Sequence, residues 1–309
     1  MNPAYSIIFF TTASGAGYGL LALLSAYALA GDTAPNGMRL LALALAGVLV
    51  TAGLLSSTLH LGHPERAWRA LSQWRSSWLS REGVLALACY APALCWGWLL
   101  WRAKGDGAFW LPLASGTLAL ATVYATSMIY ASLKTVDAWH RPSVTINYLL
   151  LALASGALPW LALRHWHGAA SGADALLTAV LLAAAACGKW RYWTTLDASD
   201  RAVTTEAATG LGRLGAVSSL AWPHTERNYL LKEMGYEVAR RHAQRLRRIA
   251  LLSAFIVPAA CALAASMLPA VAATALVSLA LPALALGLVV ERWLFFAEAR
   301  HAVSAFYGR

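Results

Sequence analysis

The sequence predicts an all-α integral membrane protein. The expected form is a bundle of eight transmembrane helices, with an interfacial helix after the second span and a long cytoplasmic loop before the seventh. Three observations carry that expectation. Of 309 residues, 59% are hydrophobic and 12% charged, against about 25% charged in a soluble domain, and the mean hydropathy is +0.56. The charges are bunched, leaving eight charge-poor stretches near the roughly 20 residues that a helix needs to cross hydrocarbon. Fourteen tryptophans suit a chain with two membrane–water interfaces, where indoles concentrate. An ordinary water-soluble enzyme, a disordered chain and a disulfide-stapled secreted domain are excluded. The net charge of +10 does not argue for nucleic acid, because the basic residues flank apolar spans instead of lining one polar face.

Read as gaps between charges, the spans follow in order within a single transmembrane domain, 1–309. Residues 1–31 carry no charge and give span one at 7–29. The alanine pair around Leu29 resembles a signal-peptide cleavage site, but the run is too long and lacks a basic leader, so it reads as a mature helix. Span two is 40–59 and span three 84–101. The fourth, 110–131, lies in the uncharged stretch 107–133, and the fifth is 143–163. The sixth is the weakest: 175–188 is free of charge, so the helix is expected to start near 169 and carry Asp174 close to its end. Residues 249–290 form one uncharged run of 42, about twice the core thickness at ~1.5 Å per residue. It must be two helices, 249–267 and 270–290, broken at Met267-Leu268-Pro269-Ala270.

Eight spans put both termini on one side. Twenty of the 24 lysines and arginines share that side, and Arg39, Arg102, Lys104 and Arg164 lie on the other. Long loops count unreliably. Without the loop 189–248 the ratio is still nine to four, so the N- and C-termini and the large loops should be cytoplasmic.

Cys89, Cys95, Cys187 and Cys261 all fall in spans and form no CxxC pair, so neither zinc nor iron–sulfur ligation is expected; no metal site is. The eight histidines fall at or outside span ends, which leaves no pair inside facing helices to hold a haem. Phosphate-loop and HExxH patterns are missing. Glycines 15, 17 and 19 on span one suit close helix packing.

The most specific segment is loop two, from His60 to Glu82. Pro64 suits a first helical turn. Ala67, Trp68, Leu71, Trp74 and Trp78 then recur at three- or four-residue steps, with Arg66 and Arg69 opposite, as in a helix lying in the interface. It would bring His60 and Glu82 to one membrane surface. An imidazole titrating near neutrality and a partly buried carboxylate could bind and protonate a quinone arriving through lipid. Equally, the pair could cap helices and anchor the interface.

This segment resembles the membrane anchor subunit of bacterial dimethyl sulfoxide reductase (the DmsC-type family). The shared features are a Leu-His-Leu-Gly-x-Pro-x-Arg-Ala-aromatic start, here Leu59 to Trp68, and a Leu-Ser-x-Glu finish, here Leu79 to Glu82. Three further stretches resemble the sulfite dehydrogenase anchor branch of that family more strongly: Met128–Lys134, Glu226–Tyr236 and Glu291–His301. The resemblance implies an eight-span anchor in the bacterial inner membrane. It would hold a molybdopterin catalytic subunit and an iron–sulfur electron-transfer subunit. His60 and Glu82 match the family's quinone-site residues. Arg66 also matches, as a site residue or as a solvated interface charge; His63, Arg81 and Tyr130 are further candidates around the pair. The implied cofactor of this chain is a quinone, ubiquinone or menaquinone, with molybdenum and iron–sulfur centres confined to the partners. An inward-facing loop two favours the sulfite-oxidising branch over a reductase anchor oxidising menaquinol. A membrane transporter is the rival from another class. The loop 189–248, whose Leu230, Leu231, Met234 and Val238 have helical spacing, is either a structural helix or a docking surface.

Overall fold

The computed structural model describes residues 4–59, 63–102, 104–105, 107–198, 205–218, 220 and 238–302. These are helical, with no strand among them. Eight helices are long and apolar enough to cross a membrane. They are α1 (Tyr5–Leu29), α2 (Asn36–Thr58), α3 (Trp78–Trp101), α4 (Trp110–Ala131), α5 (Pro142–Trp166) and α6 (Gly172–Asp197). Then follow α7, an α-helix over Val238–Leu251 that continues through a π-turn at Leu252–Ile256 into Val257–Ala265, and α8 (Ala270–Ala297). Pro269 stands at the start of α8, where its fixed φ suits a helix entry and its missing N–H costs nothing.

Helices α1 and α5 are the most buried of the eight and pack on each other at the centre of the bundle. Glycine makes this possible. A Cβ on Gly19 would overlap the Ala152 carbonyl, and one on Gly156 would overlap the backbone of Gly19 and Leu20. Gly17 plays the same part against α2, where a Cβ would stand 2.8 Å from the Ala46 carbonyl, whereas Gly15 faces open space. A similar contact joins α8 to the π-turn, with Gly287 against the backbone of Ala254. Outward-facing Val48, Leu55, Leu94, Val271 and Leu279 are exposed, as lipid-facing side chains are. A lipid-side crevice of about 770 Å³ separates α2 from α3, apolar except for a 2.7 Å hydrogen bond between Thr51 and Tyr90.

The helices run past the charge-free windows. Helix α2 takes in Arg39, α3 takes in Arg81 and Glu82, α5 ends beyond Arg164, α6 carries Lys189 and Arg191, and α8 carries Glu291 and Arg292. Helix α6 begins at Gly172, not near 169, because Ser171 and Asp174 form a reciprocal capping box at that point. The loop that follows begins after Asp197. Its described part is a helical turn at Thr205–Thr209 and a 3₁₀ turn at Leu211–Arg213. Leu230, Leu231 and Met234 lie outside the described residues.

Loop two forms a helix over Pro64–Gln73, but a 3₁₀ helix rather than an α-helix. At three residues per turn, Trp68, Leu71 and Trp74 still stack along one edge, while Trp78 belongs to α3. The segment is held onto α3 by a Ser80 hydroxyl donating to the Ala70 carbonyl and by Leu71 lying over Gly83.

Candidate functional site

Glu82 sits in the second turn of α3, about 6 Å of helix rise from its start. It is 5% exposed, and its carboxylate accepts a hydrogen bond from the Thr126 hydroxyl of α4. With the carboxyl protonated, the same Thr126 hydroxyl can instead donate to the Thr122 carbonyl, 3.0 Å away. The hydroxyls of Tyr18, Tyr130 and Tyr148 lie within electrostatic reach of the carboxylate. Glu82 is thus a membrane-embedded acid in an aromatic, hydroxyl-bearing setting, an expensive placement that argues for function.

Thr126 also borders a cavity of about 20 Å³ shared with Tyr18, Tyr148, Glu291 and Arg292. That is room for about one water molecule, among enough polar groups to hold it; a quinone ring does not fit there. Across the cavity lies a second buried array. Lys189 of α6 and Glu291 of α8 pair at 2.6 Å, at 2% and 1% exposure. Arg292 stands 3.7 Å from the other Glu291 oxygen and stacks its guanidinium 4.1 Å from the Tyr148 ring. Lys189 is caged by the rings of Tyr192 and Trp193, at 4.3 and 4.9 Å. Such contacts suit desolvated cations.

The other sequence candidates are placed as follows. Tyr130 joins the aromatic cluster of Trp139, Tyr148, Phe295 and Phe296, on the Glu82 side of the bundle. Arg66 and His63 are exposed and both turn to Glu65, at 3.7 and 3.0 Å. Arg81 donates to the carbonyls of Trp74 and Arg75 and stacks over Trp78, so it fastens the end of loop two. His60 lies outside the described residues.

Two clusters were not expected. Drawing helices as gaps between charges places Lys189 in the loop 189–248 and ends the last span before Glu291 and Arg292. In the structure all three are buried in the loop-two half of the bundle, at 2%, 1% and 4% exposure. At the opposite end, Arg164 donates to Asp32 at 3.0 Å and to Asp174 at 2.9 Å, and Tyr27 donates to Asp174 at 2.6 Å. This staple ties α1, α5 and α6 together. The signal for both clusters was present: a lone charge directly continuing an apolar helix needs a partner on another helix.

Fold and site together define a polytopic helical membrane protein with a buried acid beside an exposed loop, on one face of the bundle. The chain belongs to the DMSO reductase anchor subunit (DmsC) family, whose model matches residues 1–297. It is a multi-pass membrane anchor of an oxidoreductase complex. It is 31% identical to the C subunit of sulfite dehydrogenase from Allochromatium vinosum, over 99% of both chains. It is 30% identical to anaerobic dimethyl sulfoxide reductase chain YnfH of Escherichia coli (strain K12), over 36% of this chain and 39% of that one. No solved structure matches it.

Proposed function

We propose that the chain is the quinone-reactive anchor of a molybdenum and iron–sulfur oxidoreductase, passing electrons from cytoplasmic sulfite oxidation to the quinone pool of the bacterial inner membrane. The observation that carries this is Glu82: a carboxylate 5% exposed, one turn inside the apolar helix α3, beneath loop two. The full-length similarity to a sulfite dehydrogenase component supports the substrate of the complex. The partial similarity to a dimethyl sulfoxide reductase chain supports the second reading, an anchor that oxidises menaquinol for a reductase.

The donor set suits a quinone. A carboxyl group can accept a hydrogen bond from a quinol hydroxyl or, protonated, donate one to a quinone oxygen. When bound, the quinone would carry two electrons and two protons. The cavity beside Thr126 holds only about a water, so the approach proposed for a ring is from the loop-two side of Glu82, with His60 as the proposed second contact. Thr126 holds the carboxyl in place, and its alternative acceptor at Thr122 lets the pair change protonation state without losing a hydrogen bond. Arg66 and His63, exposed on loop two, are better suited to meet an iron–sulfur partner than to touch the ring. The catalytic component, a molybdopterin protein, would dock through that partner.

The test is binding of a fluorescent quinol-analogue inhibitor to the assembled complex. Wild type should bind it, and Glu82→Gln and His60→Ala should lose at least tenfold in affinity. Unchanged binding in both variants would remove the site.

A further inference from the structure

The bundle brings four ionisable side chains and a threonine hydroxyl to one layer, with buried Arg292 beside them. From the nearest helix end, Glu82 lies about 6 Å deep, Thr126 about 8 Å, Tyr148 and Glu291 about 9 Å, and Lys189 about 12 Å. They belong to α3, α4, α5, α8 and α6, so the topology has brought five helices to one level on the loop-two side. Nothing in helix packing demands this, since apolar residues of the same volume would be as stable or more so.

The members of the layer follow one another, by contact, by a shared cavity and at one step by charge alone. Lys189 touches Glu291 at 2.6 Å. The second Glu291 oxygen, the Arg292 Nε and the Tyr18 hydroxyl have no hydrogen-bond partner among the described residues, and these three residues line the water-sized cavity. Thr126 lines it too and holds Glu82. At the other end Lys189 is within electrostatic reach of Glu298. Glu298 is held at 2.9 Å by Arg247, which also binds the largely exposed Asp197 at 2.6 and 3.0 Å. Ionisable and hydroxyl-bearing groups therefore follow one another from the aqueous edge to the acid beside loop two, with Lys189 and Glu298 linked through charge.

We propose that Lys189, Glu291 and the cavity bordered by Arg292, Tyr148 and Thr126 form an internal proton route between the aqueous edge at Asp197 and Glu298 and the carboxyl of Glu82. A proton passes from Lys189 to Glu291, making an O–H bond as an N–H bond breaks. It continues through the cavity water to the Thr126 hydroxyl, which receives it as its own proton moves to Glu82. No electron changes hands, and Lys189 is reprotonated from the aqueous edge. Arg292 does not carry the proton; its fixed charge keeps Glu291 from holding it. The route stands on this geometry, and its use in turnover rests on the quinone reading above.

The experiment is hydrogen–deuterium exchange at Glu82 in the full-length chain in nanodiscs. It is followed by the infrared isotope shift of the carboxyl band that Glu82→Gln removes. Thr126→Val, and separately the charge-balanced pair Lys189→Met with Glu291→Gln, should slow that exchange at least tenfold. Thr126→Ser, which keeps the hydroxyl, should restore it. Exchange at the wild-type rate in the folded Thr126→Val protein overturns the route, as does exchange at that rate in the double variant. If the double variant does not fold, the Thr126 pair of variants decides alone. The inhibitor measurement is separate: lost binding in Glu82→Gln with slowed exchange in Thr126→Val supports both ideas, and unchanged binding with slowed exchange removes the quinone site while keeping the route.

Discussion

Lys189 and Glu291 are each almost fully enclosed, and each is the other's nearest opposite charge. Removing one partner leaves the other as an uncompensated ion in a low-dielectric interior, whereas removing both leaves only a packing problem. Lys189→Met alone should therefore cost about 3–5 kcal/mol. Lys189→Met combined with Glu291→Leu should recover most of it, as measured by denaturant unfolding in detergent. A double variant no more stable than the single one would mean that Arg292, not Lys189, is the counter-charge that matters to Glu291. The same reasoning applies to Arg164, which serves two carboxylates at once. Arg164→Ala should lower stability by at least as much as Lys189→Met, because it strands two anions instead of one.

At the scale of helices, the α1–α5 contact depends on missing atoms. A methyl group on Gly19 meets backbone, not a side chain that can swing aside, so Gly19→Ala should destabilise by about 1–3 kcal/mol or more, while Gly15→Ala, facing open space, should leave unfolding unchanged. The comparison of the two melting curves checks this directly. It also marks how far the sequence could be read. That span one packs closely is legible from glycines 15, 17 and 19, although at two-residue steps they do not share one face. Which of them is indispensable is not, because that depends on where α2 and α5 lie. Similarly, the number of spans follows from apolar run length, but drawing each span as a gap between charges turns every charged residue into a loop residue by definition. Lys189, Glu291 and Arg292 were hidden by that rule, although each continues an apolar helix. Glu82 stood out because loop two is rich in unusual residues. Its partner Thr126 did not, since nothing in the sequence sets it apart from the other two threonines of α4. The 3₁₀ form of Pro64–Gln73 was likewise beyond reach: Trp68, Leu71 and Trp74 recur every three residues, a step that both helix types tolerate.

For the whole molecule, the distribution of charge and the position of Glu82 make one joint claim about sidedness. Eight spanning helices put both termini, loop two and the loop before α7 on the same face. Basic residues are concentrated there, which under the positive-inside rule would orient that face to the cytoplasm. The buried layer from Lys189 to Glu82 lies in the half of the bundle nearest that face, so protons for quinone reduction would come from the cytoplasm and cross only a short depth of protein. Ser76, exposed at the end of loop two, reports on this. A Ser76→Cys variant, in a background where the exposed Cys95 and Cys187 are replaced by alanine, should resist a membrane-impermeant maleimide in intact cells and react in inverted vesicles. Labelling from outside would reverse the bundle. Loop two and its partner proteins would then lie outside the cell, and the reductase reading would replace the sulfite-oxidising one, because a sulfite-oxidising partner confined to the cytoplasm could not reach Glu82. The proton route would survive that reversal along the same residues, but protons would run the other way, from Glu82 to an aqueous end open to the exterior, carrying out those released by quinol oxidation.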